Sequence, residues 1–193
     1  MTTPTASPRK LILFNMVSLD AYFAGPNGDI SWHNVDAEFN DFALAQLAAA
    51  GGLVFGRLTY SLMASYWPTE TAIRDDAQVA GLMNRAPKFV FSRTLRQAEW
   101  ANTRLLSGDL GDEMRQLKAS PGGDLLLFGS ADLAASLTRL GLIDEYRVMV
   151  NPVLLGAGSP LFQGINEQRN LELLSARPFR SGNVLLSYAP VSA

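Results

Sequence analysis

The chain has 193 residues, 48% of them hydrophobic and 18% charged, with a formal net charge of −2 from 16 basic and 18 acidic side chains. That length and balance suit one ordinary globular domain and exclude wholesale disorder, and with no dense Lys/Arg stripe a nucleic-acid partner is not expected. There is no cysteine and one histidine, His33, so disulfides, a thiolate metal site, a zinc site, a Cys nucleophile and a Ser-His-Asp triad all lack their residues.

Residues 1–8 are polar, without the basic and apolar regions of a signal peptide, and no apolar run reaches membrane-spanning length. The expectation is a cytoplasmic protein with no membrane contact, residues 1–8 forming a flexible tail before a single domain over 9–190. Residues 10–17 (KLILFNMV) are apolar, short and rich in strand formers, which predicts a buried strand. Gly25-Pro26-Asn27-Gly28 marks residues 18–34 as a loop. Phe39, Phe42, Ala43, Leu47 and Ala50 then recur at helical spacing behind Asp36 and Glu38, and Gly51-Gly52 ends the helix. A strand over 53–55, a helix over 57–64 broken by Trp67-Pro68, a polar helical stretch near 75–84 and a strand over 88–91 follow. Short strands are expected near 98–100 and 104–106, then a helix marked by Leu110, Met114 and Leu117 and stopped by Pro121-Gly122-Gly123. Residues 125–128 read as a strand, and Ser130 as the cap of a helix that buries Leu133, Ala134, Leu137 and Leu140 and stops at Gly141. Beyond Asp144 the chain turns to strands alone, with period-two alternation over 146–151. A hairpin follows, residues 171–176 and 184–188 flanking Ser181-Gly182-Asn183. This order predicts an α/β fold with a mixed sheet and helices on both faces.

One pattern is used three times: a short apolar strand ending in a small or polar residue, then a turn or helix. It occurs around Gly56-Arg57-Leu58-Thr59, Ser92-Arg93-Thr94 and Gly129-Ser130-Ala131. If the three strands are parallel neighbours, the corners share the edge where open α/β sheets bind ligands. Free amides after Gly129 suit a pyrophosphate, Arg57 and Thr59 offer a guanidinium fork and a hydroxyl, and Ser92, Arg93 and Thr94 suit the 2′-phosphate that distinguishes NADP from NAD. Each corner alone also fits a plain helix cap or a solvated arginine; the three together carry the reading. Gly156-Ala157-Gly158 begins like a dinucleotide fingerprint but has Leu161 in place of the third glycine. Those glycines serve either a turn or a loop that closes on a ligand.

The blocks Ser18-Leu19-Asp20, Phe55 to Tyr60, Val90 to Thr94, Phe128-Gly129-Ser130 and Asp144 through Gly158 resemble, in order, the reductase domain of the riboflavin-biosynthesis deaminase-reductases. The stand-alone bacterial members of that family, which share the dihydrofolate reductase fold, are the nearest in kind. The resemblance covers residues 9 to about 188 and implies a three-layer α/β fold with a mixed, mainly parallel sheet of about eight strands, a homodimer, and NADPH across the three corners. It places Gly56, Arg57, Thr59, Ser92, Arg93, Thr94, Gly129, Ser130 and Ala131 on the cofactor phosphates and Val17 and Ser18 near the nicotinamide. It departs at Ala21, where riboflavin reductases read Gly, and at Asn40, where dihydrofolate reductases carry an acid, with Asp41 one step away. A one-residue shift turns a helical side chain by about 100°, so ordinary folate reduction is disfavoured.

The implied reaction is NADPH-dependent reduction of a small substrate, of the 5-amino-6-(5-phosphoribosylamino)uracil type or a related heterocycle, carbonyl or imine. Trp32, Asn151, Leu155 and Gly156 would line the substrate side. Asp20 is the candidate proton donor, on the expectation that an apolar pocket raises its pKa; Asp36 and Asp41 stand behind it and suit helix capping better than catalysis. The alternatives are a nucleotide-binding dimeric module without turnover, or a dihydrofolate reductase.

Overall fold

A computed structural model describes residues 8–191. All of the expected tail except Pro8 lies outside them. In chain order the first half forms β1 (Leu11–Ser18), β2 (Tyr22–Ala24), α1 (Ala37–Ala49), β3 (Gly52–Gly56), α2 (Arg57–Tyr66), α3 (Glu70–Asp75), α4 (Ala77–Arg85) and β4 (Lys88–Phe91). The second half forms β5 (Thr103–Leu106), α5 (Leu110–Ala119), β6 (Leu125–Phe128), α6 (Ala131–Arg139), β7 (Glu145–Asn151), β8 (Ser159–Pro160), β9 (Leu171–Pro178) and β10 (Val184–Pro190).

Eight strands make one sheet in the order β5-β4-β3-β6-β1-β7-β10-β9. From β5 to β7 all neighbours are parallel, and β10 runs antiparallel to both β7 and β9. This is the expected three-layer α/β fold with a mainly parallel sheet. All eight residues of β1 are buried, because helices cover both of its faces. On one face Leu47 of α1, Tyr60 of α2 and Val79 and Met83 of α4 pack on Ile12, Leu53, Phe55 and Leu126. On the other, Met114 and Leu117 of α5 and Leu133, Ala134 and Leu137 of α6 pack on Leu11, Leu13, Val54, Leu125 and Leu127. Each fully buried leucine contributes about 2 kcal/mol, so the centre of the sheet dominates the driving force for folding.

The amino-terminal edge of the sheet is tied by polar contacts. Asp144 accepts the Leu11 amide at 2.7 Å and pairs with Lys118 at 2.6 Å. The wholly buried Lys88 donates to the carbonyls of Asn84, Ala86 and Ala101 at 2.9–3.1 Å, 4.3 Å from the Trp100 ring centroid. The strand expected at residues 98–100 is absent. To enter β5 parallel to β4 the chain must first travel back along the sheet, and it does so as an irregular crossover. Trp100 is a buried plug there: its amide donates to the Tyr60 hydroxyl and its indole to Asn84 Oδ1. The two-stranded pair β2-β8 was not legible in the sequence, being too short to show a period. No helix among the described residues is long and apolar enough to cross a membrane.

Candidate active site

Because β4, β3 and β6 are adjacent and parallel, the three corners meet on the carboxyl edge. The first and third are stitched together. The Gly56 amide donates to Ser130 Oγ at 2.9 Å, and the Thr59 and Ser130 hydroxyls lie 2.7 Å apart. A Cβ on Gly56 would stand 2.7 Å from Ser130 Oγ, and one on Gly129 2.9 Å from Thr59 Oγ1. The glycines are there for this close approach.

Ser130 does not cap its helix as expected. It sits in the left-handed region (φ 54°, ψ 66°) directly after Gly129 (φ 55°), and its hydroxyl, occupied by Gly56 and Thr59, makes no bond to the amides of α6. The start of α6 therefore keeps donors facing the edge, with Asp132 as the acidic residue of the first turn. Arg57 and Arg93 are exposed and form no ion pair among the described residues. Ser92 Oγ accepts the amides of Thr94 and Leu95 at 3.2 and 2.9 Å, which shapes the second corner as a tight turn. Uncapped amides, two unpaired guanidinium groups and hydroxyls form a donor set that fits the phosphates of a dinucleotide.

The other half of the edge is built from loops. Val17 and Ser18 are buried at the end of β1, with Ser18 Oγ bonded to the backbone of Tyr22. Asp20 accepts the amides of Leu155 at 3.1 Å and Gly156 at 2.7 Å. Hydrogen bonds from the Ser18 side chain and then the Gly156 amide hold its carboxyl down at about 2. The expectation of a raised pKa is overturned: these donors stabilise the charged form and lower the carboxyl pKa instead. Of the carboxylates behind it, Asp36 caps α1 by accepting the Phe39 amide at 2.8 Å, and Asp41 is exposed.

Asn151 is 0% exposed, so it is not a lining residue. Its Oδ1 accepts the Asn34 amide at 2.9 Å and its Nδ2 donates to the carbonyls of Val17 and Met149, which fixes the 25–36 loop to the ends of β1 and β7. Trp32 is half-buried, its indole donating to the Asp29 carbonyl, with His33 edge-on at 4.5 Å. Leu155 and Gly156 present backbone to Asp20. Gly158 takes the structural option: a Cβ there would stand 2.2 Å from the Ala24 carbonyl oxygen across the β2-β8 pair.

On the α1 side of the β1-β6 seam the wall is aromatic. Phe14 meets Phe42 at 5.6 Å and Phe128 at 6.0 Å, and Phe39 joins them; no carboxylate occupies these positions. A cavity of about 730 Å³ between α2 and the 93–102 crossover contains none of the corner residues, and we assign the chemistry to the edge on its donors rather than to that hollow. One feature of the edge escaped the sequence reading. Asn15 is 6% exposed with no partner for its Nδ2, and its signal was a lone carboxamide inside an apolar strand.

Comparison with known proteins agrees with the fold. The chain is 34% identical over 189 residues to the uncharacterized Bacillus subtilis (strain 168) protein YyaP, covering 96% of this chain and 97% of that one. A Shewanella sp. PV-4 protein whose name places it in riboflavin biosynthesis superposes with a TM-score of 0.74 at 24% identity, over 95% of this chain and 99% of that one. Dihydrofolate reductase from Enterococcus faecalis, complexed with NADP(H) and RAB-propyl, has the same fold at a TM-score of 0.65 and 15% identity, over 95% and 97% of the two chains. The model of the RibD C-terminal domain matches residues 9–185, and the chain belongs to that family, with a reductase-type fold.

Proposed function

We propose that the chain is a cytoplasmic NADPH-dependent reductase of a small, flat substrate such as an aminopyrimidine, a pterin or a related imine or carbonyl. The observation that carries this reading is the meeting of three donor-rich corners on one edge, two arginines there being unpaired. In this reading Gly129, Ser130 and Ala131 hold the pyrophosphate, Gly56, Arg57 and Thr59 flank it, and Ser92, Arg93 and Thr94 surround the 2′-phosphate. When bound, NADPH supplies a hydride to the substrate. Val17 and Ser18 border the nicotinamide, and the aromatic wall of Phe14, Phe42 and Phe128 receives the flat substrate. Trp32, Leu155 and Gly156 close the substrate side, and Asp20 positions that cover by holding the 151–158 loop. The absence of a carboxyl on the wall favours a second reading, a nucleotide-binding module without turnover.

The same family reading includes a homodimer, which we place at β9. It is an edge strand with all eight residues exposed, among them Leu171, Leu173 and Leu174, and a second copy would cover both its backbone edge and its leucines.

The cofactor is tested by thermal unfolding. NADPH is expected to raise the melting temperature more than NADH does, and Arg93→Ala to narrow the difference; equal shifts from the two cofactors would remove the 2′-phosphate site. A panel of pterins, aminopyrimidines and simple imines, followed by NADPH oxidation, separates reductase from module.

A further inference from the structure

We propose that the side-chain carboxamide of Asn15 pairs with the carboxamide of the nicotinamide ring and so selects that ring over other cofactor ends. This inference rests on the NADPH reading above and adds to it a recognition group that neither the corners nor the loops supply.

Four observations converge on Asn15. It is the one strongly polar side chain within the apolar run of β1 before Ser18, at a point where helices cover both faces of the sheet. A buried amide without a partner is uncommon, because its desolvation is not offset. Of the five buried side-chain atoms that lack a partner among the described residues, four belong to Asn15, His33, Ser181 and Asn183, and only Arg9 lies at the opposite end of β1. Asn34 links three of these: it follows His33, donates to the Ser181 carbonyl and accepts from Asn183. The unmet polarity of the protein is thus concentrated on the edge that carries the corners.

Register fixes where Asn15 stands. Phe14 and Phe128 are the last β1-β6 pair; β6 then leaves through the left-handed Gly129 and Ser130, while β1 continues beside β7 with Asn15 opposite Val148. From Asn15 onward the flank of β1 that faced β6 has no strand beside it. Side chains alternate along a strand, so Asn15 shares the face of Leu13, which packs in the α5-α6 layer, whereas Phe14 and Met16 face α1. Asn15 therefore lies on the α6 side of the seam, the side whose helix start offers its amides to the pyrophosphate, and the aromatic wall lies on the other. The Asn15 carboxamide and the aromatic wall thus flank the seam from opposite sides.

The chemistry matches on both sides. A primary carboxamide carries two N–H donors and a carbonyl acceptor, so two such groups form a cyclic pair with one hydrogen bond in each direction. Rotation of the Asn15 amide by 180° exchanges its O and N, and either orientation leaves one donor and one acceptor to offer. A carboxylate would lose the donor and a leucine both groups.

The test compares two probes that share everything but the ring: NADPH and 2′-phospho-ADP-ribose, with binding read by calorimetry. Asn15→Ala is expected to weaken NADPH about tenfold, as for one to two neutral hydrogen bonds, and to leave 2′-phospho-ADP-ribose unchanged. Equal loss for both probes, or loss for neither, overturns the proposal. In the wild-type protein the Asn15 side-chain amide resonances are expected to shift with NADPH and to stay in place with 2′-phospho-ADP-ribose, a readout that stands even if the variant fails to fold. Unmoved resonances under saturating NADPH overturn the proposal while the cofactor reading stands. If neither probe binds the wild type, the cofactor reading itself fails, and this inference with it.

Discussion

Asp20 shows how a residue can be located by sequence while the direction of its pKa shift is not. Its place after β1 was legible from Ser18-Leu19-Asp20, but the amides that set its charge come from Leu155 and Gly156, 135 and 136 positions away. Because its folded pKa is depressed, the contribution of this clamp is fully present above the ordinary carboxylate value of 3.8 and is lost as pH falls through about 2. Asp20→Ala is expected to raise KM through a loosened loop while keeping the shape of the pH profile of turnover; disappearance of a limb near neutrality would restore Asp20 as an acid. The neighbouring Ala21, where the resemblance implies glycine, is held at φ 67°. Ala21→Gly should relieve left-handed strain and stabilise the fold by about 1 kcal/mol, read as a higher urea midpoint. Lys88 is a third case. Burial lowers its pKa to about 8 from 10.5, so the unfolded chain binds the extra proton between those values and this contribution to stability rises from pH 8 to 10.5. Lys88→Met leaves three carbonyls without their donor and should cost about 2–3 kcal/mol at pH 7. Wild type should then gain on the variant as pH rises above 8, and parallel curves would show that the three carbonyls and the indole already hold the charge at no net cost.

At the level of elements, short apolar runs bounded by glycine and polar residues were readable, and β4 and β6 fall on the expected residues. These runs carry their own punctuation, and burial on both faces leaves little choice of residue. The corners were readable for the same reason, yet their stitching was not. Ser130 was expected to cap α6, and it turns to Gly56 and Thr59 because β6 lies beside β3, an adjacency that local sequence does not encode. The β2-β8 pair belongs to this class: its two segments are about 135 residues apart and too short to show alternation. Its weak point is Gly158. Gly158→Ala would drive a methyl into the Ala24 carbonyl at 2.2 Å, so the 151–160 loop should detach from β2. Hydrogen exchange is expected to speed up at Tyr22 to Ala24 and at Leu161, whose amide bonds to Ala21, while the sheet centre keeps its protection. Unchanged exchange there would mean that Asp20 and the Leu19–Val153 backbone bond hold the loop without the β2-β8 pair.

The whole molecule ends in an uncovered strand. β9 pairs with β10 on one side and offers its other backbone edge, with Leu173 and Leu174 more than half exposed. Leu173→Glu should give a monomer by light scattering if this edge joins two copies, since a charge at the centre of a self-complementary contact is repeated across the symmetry axis; an unaltered mass would place the contact elsewhere. The sequence by itself determined the fold class, the helices and strands of the core, the three corners and the expectation of a dinucleotide, because hydrophobic period, glycine punctuation and residue chemistry are local properties. Tertiary structure decided which of those residues work together. It put β6 between β3 and β1 and thereby joined two corners, it set the Asp20 carboxylate against the amides of Leu155 and Gly156, and it buried Asn151 as a brace while leaving Asn15 Nδ2 without a partner. Each of those outcomes depends on groups brought together from distant parts of the chain, where desolvation and hydrogen-bond geometry are set by neighbours in space.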